Sequence, residues 1–113
     1  MVIGTTIFYL DGNAYHSPTF SRGGLAATFS VDVTHLSLGA GVGLGIEVQH
    51  RNDEDTTWSS AGTFSSITSV DTYSKDISGL KENVRFVYTF QGGTPTALEA
   101  AHFLMMAPSW RPY

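Results

Sequence analysis

Hydrophobic and polar residues alternate along two stretches of the first half of the chain. One side of the first stretch is formed by Leu25, Ala27, Phe29, Val31 and Val33. In the second stretch, Val42, Leu44, Ile46, Val48 and His50 alternate with Gly43, Gly45, Glu47, Gln49 and Arg51. Successive side chains of a strand point to opposite faces of a sheet, so this period of two predicts half-buried antiparallel strands.

The same alternation, bounded by turn residues, predicts strands along most of the chain. They are expected at 2–9, 25–36, 42–51, 62–68, 72–77 and 84–90, with a short segment at 14–20 that Pro18 restricts to an edge or a loop. Thr96 and Glu99 match a helix capping box, whereas Pro108 and the surrounding strands favour a strand, so segment 96–107 is open with strand preferred. We predict one all-β domain over residues 1–113, an antiparallel β-sandwich or jelly roll of about seven to eight strands.

The inward positions of these strands predict the hydrophobic core. Its expected members are Phe29, Val31, Val33, Ile46, Val48, Val84, Phe86 and Tyr88.

Composition narrows the classes of function. Charged residues make up 14% of the 113 residues, against the usual proportion of about 25%, which suggests that a partner, often another copy of the chain, covers part of the surface. A net charge of −4 and a pI near 5.3 argue against nucleic-acid binding. No cysteine is present, which excludes disulfides and thiolate metal sites. Residues 1–7 lack a basic region, and no apolar run approaches membrane-spanning length, so we expect cytoplasmic synthesis and no membrane partner.

The polar residues predict neither catalysis nor metal binding. His16, His35, His50 and His102 are scattered without a metal-ligand spacing. His35 and His50 end the inward registers of their strands, and we expect them to be a structural pair at one end of the sheet. The run 53–55 is acidic but lacks the ligand spacing of a calcium loop, so a solvated hairpin tip is favoured. We therefore predict a protein that is not an enzyme and needs no cofactor.

Some residues are candidates for an interface instead. Gly39, Gly41, Gly43 and Gly45 alternate without a following helix, so they mark a tight turn or a face that another backbone approaches. The tail cannot be helical across Pro108 and Pro112, and its aromatic and arginine residues are typical of interface anchors or of docking onto its own domain. Trp58, Tyr73 and Trp110 offer a sugar-stacking surface, although core packing explains most aromatics better. The predicted interface residues are Trp110, Arg111, Tyr113, Trp58, Gly43 and Gly45.

Three segments resemble small phage and prophage structural proteins. They are 47–58, where a strand ends in an acidic hairpin followed by Trp58, then 77–86, and the closing Ala-Pro-Ser-Trp-Arg-Pro. The similarity covers about residues 44–113. It implies a virion structural protein of β-sandwich or jelly-roll fold, such as a head decoration or minor capsid protein that binds or stabilises the shell. The implied partners are further copies of the chain, by analogy as a trimer, and the major capsid protein or other virion proteins.

A second resemblance implies a different function. Gly79-Leu80, with Phe86 six residues after the leucine, is similar to the corner before a late strand in fibronectin type III domains. The corner tyrosine of that family is replaced by Phe86, so its hydroxyl bond is missing. This resemblance implies a glycan-binding or adhesion module, and it is the alternative interpretation.

Overall fold

The described part of the chain is built entirely of β-strands. The computed structural model describes residues 3–8, 14–92 and 99–112, and these ranges contain ten strands and no helix. The strands are β1 Ile3–Phe8, β2 Tyr15–His16, β3 Phe20–Ser21, β4 Ala26–Ser37, β5 Gly43–Arg51, β6 Ser59–Ile67, β7 Thr72–Ser78, β8 Asn83–Gln91, β9 Ala100–Met105 and β10 Ser109–Arg111. The all-β prediction is confirmed.

The strands form two antiparallel sheets of five strands each. The first sheet has the order β1-β9-β4-β7, and β10 pairs with the start of β4. Because β7 and β10 both pair with residues 26–28, they lie on opposite sides of β4. β9 and β10 pair with successive parts of β4 on the same side, and we call two strands aligned end to end in this way one row. The second sheet has the order β2-β8-β5-β6, with β3 also on β8. Counted as rows of strands, each sheet has four.

Proline accounts for the two interrupted rows. Pro18 separates β2 from β3, and Pro108 lies between β9 and β10, because proline has no N–H to donate to a neighbouring strand. At the first break, the Ser17 amide donates to the Phe86 carbonyl at 2.9 Å, and the Phe86 amide donates to Ser17 Oγ at 2.8 Å. The serine therefore keeps the backbone of β8 hydrogen-bonded where the edge row is broken.

The core lies between the two sheets, and every residue predicted for it is buried. Aromatic contacts cross from one sheet to the other: the ring of Phe29 lies 5.8 Å from that of Phe86, and Tyr88 lies 4.8 Å from Phe103. Leu25 was expected on the inward face, but it lies just before β4 and is 46% exposed. The core of this β-sandwich-like arrangement is confirmed as predicted.

The predicted pair of His35 and His50 is wrong. A register shift between Val33 and His35 in the β4–β9 pairing turns both Thr34 and His35 to the exterior. His35 lies opposite His102 in the first sheet, whereas His50 belongs to β5 in the second sheet. The bulge breaks the alternation on which the prediction depended.

Segment 96–107 is a strand where the structure describes it. Ala100–Met105 forms β9, so the preference for strand over helix is confirmed there, while residues 96–98 and the predicted turn at 11–13 lie outside the described residues. Glu99 is buried, and its Oε1 accepts a hydrogen bond from the Gly39 amide at 2.8 Å. No helix in the described ranges is long and apolar enough to cross a membrane.

Candidate interaction surface

The predicted interface residues fall in two separate places. Trp110 and Arg111 belong to β10 of the first sheet, whereas Gly43, Gly45 and Trp58 lie on or beside β5 and β6 of the second sheet. Tyr113 lies outside the described residues. The structure therefore does not bring the six residues together into one surface.

Trp110 is docked onto its own domain. Its ring lies 6.4 Å from that of Phe20 and 6.1 Å from that of Phe29, both in edge-on geometry. A Cβ added at Gly23 would lie 2.7 Å from the indole, so the tryptophan also covers the loop before β4. Of the two interpretations of the tail, docking onto its own domain describes residues 109–111.

Arg111 contributes to a polar ladder on the outer face of the first sheet. Its guanidinium donates to Thr28 Oγ1 at 2.8 Å and lies 4.0 Å from the Asp76 carboxylate. Further pairs continue across β4 and β7, with Ser30 bonded to Ser74 at 2.9 Å. This face is covered by short polar side chains that hydrogen-bond one another.

The glycines before and within β5 have distinct roles. Gly41 has a φ of +76°, in the turn where the Val42 amide donates to the Gly39 carbonyl, so the tight-turn interpretation holds for this residue. A Cβ at Gly45 would lie 2.3 Å from the side chain of Gln91, which covers that glycine. Side chains of the same chain thus fill the space that glycine leaves on this face.

At the other end of the outer face of the second sheet, two arginine side chains lie against the ring of Trp58. Trp58 precedes β6, and Ser59 pairs with His50, so the tryptophan lies beside Arg51 at the end of β5. The central guanidinium carbon of Arg51 is 4.9 Å from the indole centroid, and that of Arg85 in β8 is 4.4 Å from it. Both distances lie within the range of cation–π attraction. We call Arg51, Trp58 and Arg85 the Arg–Trp–Arg cluster.

Hydrogen bonds along the sheet position Arg85. Its Nε donates to Gln49 Oε1 at 2.8 Å, and Gln49 Nε2 donates to Glu47 Oε1 at 2.6 Å. Partial burial lowers the pKa of Arg85 from its ordinary value, the nearby charge of Arg51 lowers it further, and Glu47 opposes both effects. Two like charges are thus held against one indole ring.

The acidic turn beside the cluster is tied to the segment before β8. Asp55 Oδ2 accepts from the Asn52 amide at 2.9 Å and lies 3.7 Å from Lys81 Nζ. Asp53 Oδ1 accepts from Asn83 Nδ2 at 2.6 Å. These contacts give the aspartates of the hairpin tip a structural role.

His50 supports the same connection. Its Nδ1 accepts a hydrogen bond from the Lys81 amide at 3.2 Å, which requires the neutral form of that nitrogen. Burial lowers the pKa of His50, the charge of Lys81 lowers it further, and Asp55 opposes them. Within the described ranges, no group of three or more histidine or acidic residues is arranged to hold a metal ion.

Sequence reasoning identified Trp58 but not the two arginines that surround it. The alternation does place Arg51 and Arg85 on outward positions of their strands. Their meeting on one ring depends on the pairing of β5 with both β6 and β8, which alternation does not specify. An outward arginine on each of two strands, with a tryptophan just after a hairpin, was the available signal.

Comparison with known families, curated proteins and solved structures gives no significant match to this chain.

Proposed function

We propose that this protein is a virion structural protein, a capsid decoration or minor capsid protein that binds or stabilises the shell and self-associates, by analogy as a trimer. The observation that carries the proposal is the order in which the strands pair. It adds to the resemblance of residues 44–113 to small phage structural proteins, which rests on segments of the sequence alone.

The strand pairing is nested. If β2 with β3, and β9 with β10, are each counted as one row, eight rows follow along the chain. The first row pairs with the eighth, the second with the seventh, the third with the sixth and the fourth with the fifth. One long antiparallel hairpin folded over onto itself has this pairing, and we propose that the fold is a jelly roll, which is common in viral capsid domains.

The alternative function, a glycan-binding or adhesion module similar to fibronectin type III, has less support. In immunoglobulin-like sandwiches the first strand lies beside the second, whereas here β1 lies beside β9. Trp58, one of its candidates for sugar stacking, has two guanidinium groups within 5 Å of its ring centre. A sugar would have to displace one of them to reach a face that they cover.

Two measurements test the proposal. The first is the identity of the neighbouring genes, where a major capsid protein, portal or prohead protease is expected, and a metabolic operon would contradict the virion assignment. The second is light scattering on the purified chain, for which we expect a mass three times the 12.2 kDa of one chain. If the protein is a monomer, binding to shells assembled from the adjacent capsid gene becomes the deciding measurement, and no binding would refute the proposal.

A matched pair of variants locates the assembly face. Thr89→Arg places a long cation on the outer face of the second sheet, beside Gly45, and Ser74→Arg places the same side chain on the outer face of the first sheet. We expect one variant to dissociate the assembly and the other to leave it intact. Unchanged assembly in both would exclude the two outer faces as its contacts.

A further inference from the structure

The Arg–Trp–Arg cluster has hydrogen-bond donors that no described residue satisfies. Arg85 uses its Nε on Gln49, which leaves its terminal nitrogens without a protein acceptor among the described residues. Arg51 makes only a long bond of 3.4 Å from a terminal nitrogen to the Asp55 carbonyl. Its Nε has no acceptor among the described residues, but it is shielded from solvent and so does not face an incoming molecule. The terminal nitrogens of the two guanidinium groups are therefore the donors that an acceptor supplied from outside could bind.

The positive charges of Arg51 and Arg85 are also not neutralised by an ion pair within the described ranges. The ion pairs of the described ranges join Lys81 to Asp55 and Arg111 to Asp76, so neither Arg51 nor Arg85 contacts a carboxylate. Glu47 is the acid beside Arg85, and its carboxylate is engaged by Gln49. The carboxylates of Asp53 and Asp55 in the adjacent turn bind Asn83, Asn52 and Lys81 instead. An incoming anion would relieve the repulsion between the two guanidinium groups.

We propose that Arg51, Arg85 and Trp58 form a binding site for the carboxylate groups of an acidic polypeptide segment of a partner protein. A guanidinium presents a planar fork of donors that matches a carboxylate, and the indole holds the two forks close together. A polypeptide is favoured over an acidic sugar because the half-buried ring is covered by its two cations, which leaves little aromatic surface for a sugar to stack on. The site depends on the chemistry of these three side chains and not on the virion assignment.

The test is calorimetric titration of the full-length protein, at low salt, with a blocked peptide of four glutamates. The matched peptide of four glutamines is the ligand control. We expect saturable binding of the glutamate peptide that weakens as salt is raised, and none of the glutamine peptide. Arg51→Gln and Arg85→Gln are each expected to lower the affinity about tenfold, because each removes a charge-assisted contact.

Two further variants distinguish binding at the Arg–Trp–Arg cluster from non-specific electrostatic attraction of the peptide to the protein. Lys75→Gln removes the same charge at the exposed edge strand β7, and it is expected to change the affinity less than about twofold because exposed charges at a distance are screened. Arg85→Lys keeps the charge but loses the planar fork, so an intermediate loss is expected, and this variant serves if Arg85→Gln fails to fold.

Several results would overturn the proposal. They are the absence of saturable binding to the unmodified protein at millimolar peptide, equal binding of the glutamine peptide, and a loss in Lys75→Gln as large as in Arg85→Gln. Tighter binding of a tetragalacturonate, dependent on Trp58, would overturn the assignment to a polypeptide. Each result is interpretable whether or not the protein assembles on a viral shell.

Discussion

Removing a single buried oxygen from the core is expected to stabilise this protein. Tyr88 is 2% exposed, and its hydroxyl oxygen is buried without a hydrogen bond of good geometry to any described residue. Burial raises its pKa to about 12, and the nearby hydroxyls of Thr5 and Ser17 reduce that rise only partly. Leaving a buried hydroxyl unsatisfied costs about 1–3 kcal/mol, so Tyr88→Phe should raise the free energy of unfolding by about 1 kcal/mol.

The gain should appear with the ring packing unchanged. Phenylalanine keeps the contact of the ring with Phe103 at 4.8 Å. For a chain of this length, 1 kcal/mol corresponds to a rise of about 4 °C in Tm. Urea unfolding should give a higher midpoint with the same m value. The matched control is Tyr73→Phe, where the hydroxyl donates to the Ser69 carbonyl at 2.8 Å, and a loss of about 0.5–1.5 kcal/mol is expected.

Alkaline pH provides a second measurement of the same hydroxyl. The pKa of Tyr88 is raised to about 12 in the folded state, while an exposed tyrosine titrates near pH 10. Above pH 10 the unfolded state loses its proton first, so stability falls as the pH rises towards 12. At pH 11 this amounts to about 1.4 kcal/mol, which Tyr88→Phe should not lose. A variant less stable than the original by more than about 1 kcal/mol at pH 7 would show that the hydroxyl is bonded and refute the reasoning.

Three further predictions concern the core, the tail and His50. Phe86→Ala should lower the free energy of unfolding in urea by about 3–5 kcal/mol, because Phe86 is fully buried; a loss below about 1 kcal/mol would mean that its register is misassigned. A chain ending at Ala107 loses β10 and the packing of Trp110, so it should be less stable by at least about 2 kcal/mol; unchanged thermal unfolding would show that the tail does not dock. The pKa of His50 is lowered on folding, so its contribution to stability should fall as the pH decreases from about 7 through the ordinary value of 6.5. His50→Asn, which keeps an acceptor but does not titrate, should remove that part of the pH dependence in urea titrations at pH 7.5 and 5.5.

Period-two alternation determined the strands and the inward faces of this protein. The residues predicted for the core are all buried, because alternate side chains of a strand share one face whichever strand lies beside it. Pro18 also restricted segment 14–20 to an edge or a loop, since the missing N–H is a local property, and β2 and β3 lie at the edge of the second sheet. These features depend on neighbouring residues alone.

Only the tertiary structure decided which strands pair and what meets on the surface. The pairing of β1 with β9 joins segments separated by almost the whole chain, and alternation is equally compatible with other partners. The bulge before His35 reversed a side chain that the period had placed inside, and the pairing of β10 with β4 placed Trp110 against the core of its own domain. The Arg–Trp–Arg cluster depends on β5 lying between β6 and β8. These choices are settled when both sheets bury their apolar faces at once, because that gain in burial depends on all the pairings together rather than on any one segment.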